Sequence, residues 1–447
     1  MDPRDDGSRR SRGVPNRMLQ WAGRTVNKWL ESDSDQSSSS RPSHHQTAHQ
    51  PAEWHGQIPI SPAESDHLRL LFKASPLPCS SANAETNTTS HAVLAPVDST
   101  SCSPYPPAIN IVCVDFLGEV HSATTYVKRD LGFQGQLGSY ILLSYGDTLY
   151  TDANYSDTWR GMTSDSIALA THDPLVVVDP VLNEQGYPPQ FCPLISNYGE
   201  DPADCALGIT NVVQTGGGGS GGSSANENEG VMFFLLNHRP NGTNNLVGAG
   251  VASVSLDMSS YPPVAKVRRL AKYWWDATLE PWYGDICALR HDGYVYAYGH
   301  GGHVSENPWV YLARARLHET TVLGGYEYWN GDGWQSERLM TKQLGEKESV
   351  FWQVNQGQVV WSAWLGCFVF VYCDNWMNSK VLMKTAQKPE GPWSEQPIEV
   401  YQATPLTEGG AIYAAVPHDY YDKTGRTLVV TFTNHPNRVQ AVKVTFG

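Results

Sequence analysis

Tyr140-Ile141-Leu142-Leu143-Ser144-Tyr145-Gly146-Asp147 is the stretch on which the fold turns: an apolar strand that breaks into a polar turn. The same event recurs in Val231-Met232-Phe233-Phe234-Leu235-Leu236, Tyr294-Val295-Tyr296-Ala297-Tyr298, Phe368-Val369-Phe370-Val371-Tyr372 and Leu428-Val429-Val430-Thr431-Phe432. The polar exits begin at Gly146-Asp147, Asn237-His238, Gly299-His300, Asp374-Asn375 and Asn434-His435. A further strand follows each run, as in Val251 to Leu256, Val310 to Arg316, Val381 to Ala386 and Val439 to Phe446. Another precedes it, as in Ile286 to Arg290, Val359 to Trp364 and Ile412 to Val416. Each unit is therefore a β-meander.

The repeated strands start at 140, 231, 294, 368 and 428, leaving gaps of 91, 63, 74 and 60 residues. These exceed the usual propeller period of roughly 40–50 residues, so the blades carry insertions. The longest gap contains the Gly/Ser-rich stretch 215–230, expected to be a flexible loop. A β-sandwich is the competing fold, but five similar meanders favour radial repetition. The expectation is an all-β chain: a five-bladed β-propeller over 108–447, preceded by a disordered Ser/Pro-rich leader over 1–107. Within the leader, Met18 to Leu30 has a weakly amphipathic pattern that reads as a transient helix.

Composition supports this class. Charged residues are 17% of the 447, while Trp and Tyr number 15 and 22. That balance suits packed sheets better than a helical bundle. With 31 basic and 45 acidic side chains the net charge is −14, which repels phosphate backbones and argues against a nucleic-acid partner. No membrane span is expected: the most apolar stretch, Val359 to Cys373, carries Leu365-Gly366 at its centre and reads as two strands and a turn. The opening Met1 to Asp6 lacks the apolar core of a signal peptide, whereas Asn87, Asn154 and Asn241 head glycosylation sequons; the compartment is left open. Eight cysteines have no metal-type spacing; Cys192 and Cys205 either pair across a polar loop or stay free.

Candidate chemistry follows from hairpin register. In the first blade Gly138-Ser139 reads as a two-residue turn, so Leu137 faces Tyr140 and Asp130 faces Asp147. Facing carboxylates repel, and one is held protonated beside an ionised partner, as a glycosidase requires. A bulge at Gly132 or Gly135 would separate them. In the third blade Asp292-Gly293 is the turn, and Asp285 faces His300, as an imidazole–carboxylate pair or a local structural bond. Glu280, beside Trp274, Trp275 and Trp282, is a candidate acid among indoles or a surface residue. Gly299 to His303 offers two imidazoles without a third ligand, so no metal is assigned. Neither a Walker A loop nor a nucleophile elbow is present, and no cofactor is expected. Trp159, Trp282, Trp309, Trp329, Trp334 and Trp376 fall near turns, where an indole can stack on a sugar or pack a blade.

Arg129-Asp130-Leu131-Gly132 followed by Gly146-Asp147-Thr148 resembles the opening of domain-of-unknown-function family 4185. Tyr328 to Trp334, Lys384-Thr385-Ala386 with Gly391 to Ser394, and Gly425 to Val430 agree with it, and the resemblance extends over about 108–447. It implies a five-bladed propeller; some bacterial members are endo-acting D-arabinanases that use paired aspartates by an inverting route. Carried onto this chain, the catalytic roles fall on Asp130 and Asp147. Asp285, His300, Glu280 and Trp282, read from register and neighbourhood rather than from the resemblance, are expected to support the pocket or bind substrate. One departure is Leu131, where the bacterial opening has Gly-Gly after Arg-Asp. The expected function is hydrolysis of a furanose-containing, D-arabinan-like polysaccharide by a monomer. The alternative is a non-catalytic carbohydrate-binding or protein-interaction propeller.

Overall fold

The computed structural model describes residues 109–216, 226–240, 243–302, 307, 309–352, 354, 356–374 and 378–447. The leader 1–107, with its expected helix at 18–30, lies outside the described residues, as does most of the Gly/Ser-rich loop; Glu229 and Gly230 already belong to a strand. The described residues form β-strands and short 3-10 turns, with no α-helix among them. Among the described residues no helix is long and apolar enough to cross a membrane.

Five antiparallel meanders are present. Blade 1 runs Val127–Leu137, Tyr140–Tyr150, Ser166–Ala170 and Val176–Val178. Blade 2 runs Cys205–Gln214, Glu229–His238, Asn245–Asp257 and Val264–Arg269. Blade 3 runs Cys287–His291, Tyr294–His300, Trp309–Arg316 and Tyr326–Trp329. Blade 4 runs Gly357–Ser362, Cys367–Cys373, Lys380–Ala386 and Ile398–Gln402. Blade 5 runs Ile412–His418, Thr427–Asn434 and Arg438–Phe446, and its fourth strand is Ile111–Glu119 from the start of the described chain. That strand closes the ring and was not foreseen. The first strands of successive blades pack on one another in a cycle: blade 1 on 2, 2 on 3, 3 on 4, 4 on 5, and 5 back on 1. The protein is a five-bladed β-propeller.

This arrangement explains why the second strands are apolar throughout. Successive strand residues point to opposite faces, and each blade lies between two neighbours, so both faces are buried. In Glu229–His238, Val231 and Phe233 join the core shared with blade 3, while Met232, Phe234 and Leu236 join the core shared with blade 1. In Cys367–Cys373, Val369 and Val371 face blade 5, and Phe368, Phe370 and Tyr372 face blade 3. Each such buried aromatic or aliphatic side chain contributes about 1.5–3 kcal/mol. Leu143, Tyr145 and Ala168 meet Val439 where blade 1 closes on blade 5. The stretch 359–373 forms two strands around Gly366, whose φ of 62° makes the turn.

Within each blade the first strand leads away from one end of the central channel and the second strand returns to it. Asp130, Asp147, Asp285, His300, Arg239 and the start of Ile412–His418 therefore gather at the same end.

Candidate active site

Blade 1 has the expected register at both ends, with Leu137 opposite Tyr140 and Arg129 opposite Thr148. Between them the ladder shifts twice, on either side of Leu131. The first shift places Asp130 alone against Gly146 and Asp147; the second leaves Gly132 as the extra residue on the inner strand. The two bulges cancel in register; one of them is at Gly132, a position expected from the sequence, and Asp130 remains within electrostatic reach of Asp147. Leu131 has φ 68° and Gly132 φ 110°, conformations that turn the strand sharply at Asp130. Gly146 is required by space: a Cβ there would lie 2.4 Å from Asp130 Oδ1.

Asp130 and Asp147 each keep some solvent-accessible surface, although their surroundings are largely protein. Burial pushes Asp130 well above the usual carboxylate range, and the neighbouring charge of Asp147 pushes it further. Burial also raises Asp147, against the pull of the Arg239 cation. Two such carboxyls share a proton more readily than both ionise. The Tyr413 hydroxyl donates to Asp130 Oδ2 at 3.1 Å, whereas Oδ1 has no hydrogen-bond partner among the described residues. Thr433 Oγ1 accepts from the Leu131 amide at 2.9 Å, and Asn437 Nδ2 donates to the Asp147 carbonyl at 3.0 Å. Behind the pair, Arg129 is buried against Asp179 and lies 4.7 Å over the Tyr145 ring. The Arg129-Asp130 motif thus divides its labour, the arginine turned into the blade and the aspartate toward the channel end.

Blade 3 uses the same position differently. Asp285 Oδ1 accepts the His300 backbone amide at 2.9 Å, and Oδ2 lies 2.7 Å from His300 Nδ1. His300 Nε2 lies 3.0 Å from the Val354 carbonyl oxygen. A carboxylate and a carbonyl both only accept, so this geometry favours a proton on each ring nitrogen. Burial opposes that charge, but Asp285 and the carbonyl outweigh it and raise the His300 pKa.

Glu280 is held by Arg338: Nη2 donates to Oε2 at 2.7 Å and Nε lies 2.7 Å from Oε1. Burial nevertheless leaves its pKa raised. Trp282 is buried in the seam between blades 2 and 3, and its indole donates to the Ala277 carbonyl at 3.1 Å. Only 4% of it is exposed, so it has no face to offer a sugar and serves packing. Trp329 and Trp334 face each other across a strand pair, and Trp309 packs on Trp352. Trp376 and His303 lie outside the described residues. Cys192 and Cys205 are free thiols. Among the described residues no cluster of three or more His, Cys, Asp or Glu side chains is placed to hold a metal.

Arg239, Tyr413, Thr433 and Asn437 escaped the sequence reading. Arg239 directly follows the polar exit Asn237-His238, the position equivalent to Asp147 and His300, which was the available signal. The blade 5 residues had none, because they reach Asp130 and Asp147 from nearly 300 positions away: 283 for Tyr413 and 290 for Asn437.

Residues 261–440 match the family model "Domain of unknown function (DUF4185)". The match begins after Asp130 and Asp147 in the sequence. No curated protein matches. Among solved structures, a Bacteroides ovatus protein provisionally described as a hydrolase is 17% identical, covering 71% of this chain and 85% of its own, with a TM-score of 0.49. A family 117 glycoside hydrolase from Zobellia galactanivorans is 11% identical, covering 75% and 92%, with a TM-score of 0.40. The Penicillium chrysogenum alpha-L-arabinanase complexed with arabinobiose is 10% identical, covering 74% and 98%, with a TM-score of 0.36. Likeness at this level is distant and bears on neither substrate nor mechanism.

Proposed function

We propose that this propeller is a glycoside hydrolase in which Asp130 and Asp147 act as the acid/base pair on a furanose-containing, D-arabinan-like polysaccharide. The observation that carries the reading is the juxtaposition of two carboxyls on adjacent strands, both with raised pKa, at one end of the channel within reach of the Arg239 cation. The protonated member donates to the glycosidic oxygen as the bond to the anomeric carbon breaks. The ionised member takes a proton from a water whose oxygen bonds to that carbon, and exchange with solvent restores the starting state. The inverting course and the arabinan preference rest on the family resemblance.

Reducing-sugar release from a panel of plant, fungal and mycobacterial polysaccharides, D-arabinan included, tests the reading. The wild type should release sugar, and Asp130→Asn and Asp147→Asn should each lose about 10³-fold in rate while remaining folded. Absence of release from every polymer, with glycan binding retained by both variants, would make the protein a binding propeller instead.

A further inference from the structure

Blade 5 holds blade 1 at one paired position. Tyr413 and Thr433 are directly opposite each other in the blade 5 ladder. From that pair the Tyr413 hydroxyl reaches the Asp130 carboxyl, and the Thr433 hydroxyl accepts the amide of the next residue, Leu131. One cross-strand pair thus grips the side chain of Asp130 and the backbone immediately after it, at the residue whose φ of 68° creates the bulge. Tyr413 itself stands at a bulge: the ladder shifts between Tyr413 and Val416, and Ala414 has φ 51°. Non-glycine residues in this region cost energy and persist where surrounding structure holds them. Two strained turns, one on each side of the seam between blades 5 and 1, therefore meet through these two hydrogen bonds. Leu131, Phe133, Ala414 and Val416 pack together as a buried cluster in the same seam.

We propose that Tyr413 is the positioning residue of the reaction: its hydroxyl fixes the orientation of Asp130 toward Asp147, with Thr433 holding the adjacent backbone. This rests on the hydrolase reading above and adds a residue to it. The groups facing Asp130 are Asp147 from its own blade, Arg239 from blade 2 and Tyr413 from blade 5. Of these, the Tyr413 hydroxyl is the one that donates a side-chain hydrogen bond to it. Such a bond favours the ionised carboxylate, so its removal moves Asp130 titration to higher pH, whichever catalytic role Asp130 plays.

The test is Tyr413→Phe, which keeps the ring and removes one oxygen. Two readouts are taken: the pH profile of kcat/KM on the active polysaccharide, and the ¹³C carboxyl titration of Asp130, assigned by its loss in Asp130→Asn. The expected result is an activity loss of about 10- to 100-fold, with one limb of the profile and the Asp130 titration both displaced to higher pH. Thr433→Ser, which retains a hydroxyl, should stay near wild type, and Thr433→Val should fall with Tyr413→Phe. Tyr326→Phe removes a buried hydroxyl that donates to the Thr320 carbonyl in another seam, and should leave both readouts unmoved. An unchanged Asp130 titration in Tyr413→Phe, or an equal displacement in Tyr326→Phe, would overturn the proposal. The titration needs no turnover, so a protein that proves inactive still tests the Tyr413 assignment separately from the hydrolase reading.

Discussion

Blades 1 and 3 use one structural position for opposite ends. In both, a residue of the inner segment meets the exit of the second strand at the same end of the channel. Blade 3 places a carboxylate against an imidazole and gives both ring nitrogens acceptors, Asp285 and the Val354 carbonyl. Blade 1 sets one carboxyl within electrostatic reach of another and leaves Asp130 Oδ1 without a hydrogen-bond partner among the described residues. A satisfied pair of opposite charges stabilises the fold, whereas a like-charged pair stores conflict. Conflict of this kind is what proton transfer at neutral pH needs, and it is tolerated because blade 5 ties down the strained backbone.

The comparison is sharpened first by its largest expected effect, the removal of one partner from each pair. Asp285→Asn leaves the buried His300 cation uncompensated and should cost about 3 kcal/mol in chemical denaturation. Asp147→Asn should do the reverse and raise Tm, because it removes a carboxylate that folding holds in an unfavourable state. Destabilisation by both would show that blade 1 is as structural as blade 3.

The next largest effect is at acid pH. His418, buried with Nε2 2.8 Å from the Thr431 hydroxyl, is pushed down to about 3 by burial. Its folded pKa lies below the ordinary value near 6.5, so the unfolded chain binds the extra proton. Stability should therefore fall as pH drops below about 6.5, by about 2 kcal/mol at pH 5 from this group. Denaturation at pH 7 and 5 should show this difference, and His418→Gln should flatten it.

The smallest effect separates the two pairs by sign alone. The raised His300 pKa gives stability that is full below about 6.5 and lost as pH rises through the folded value. The raised carboxyls of blade 1 give a contribution whose loss begins at lower pH, as pH rises past about 3.8 towards their folded values. Asp285→Asn should flatten the upper part of the pH–stability curve, and Asp130→Asn the lower part.

The meanders were legible because strand alternation and turn chemistry are local. Asp292 and Gly293 adopt φ of 45° and 81°, as an Asp-Gly hairpin turn requires, and the pairing of Asp285 with His300 follows from it. The first-blade hairpin likewise brings Asp130 to Asp147, but through two bulges rather than a regular ladder. Leu131 gave no warning of its positive φ, since leucine has no preference for that region and is held there by contacts from another blade. Trp282 and Glu280 looked like pocket residues from their aromatic neighbourhood; the seam between blades 2 and 3 and the distant Arg338 decide their surroundings instead. The closing strand Ile111–Glu119 was invisible for the same reason: its partner lies at the other end of the described chain. What sequence withheld is what depends on ring closure.

The most direct measurement of the central claim is the carboxyl titration of wild-type protein by ¹³C NMR, with Asp130 and Asp147 identified by their loss in the corresponding Asn variants. The account predicts that the pair titrates above the ordinary carboxylate range, with one of the two still protonated when exposed aspartates are fully ionised. Two independent titrations near the ordinary value of about 3.9 would contradict it.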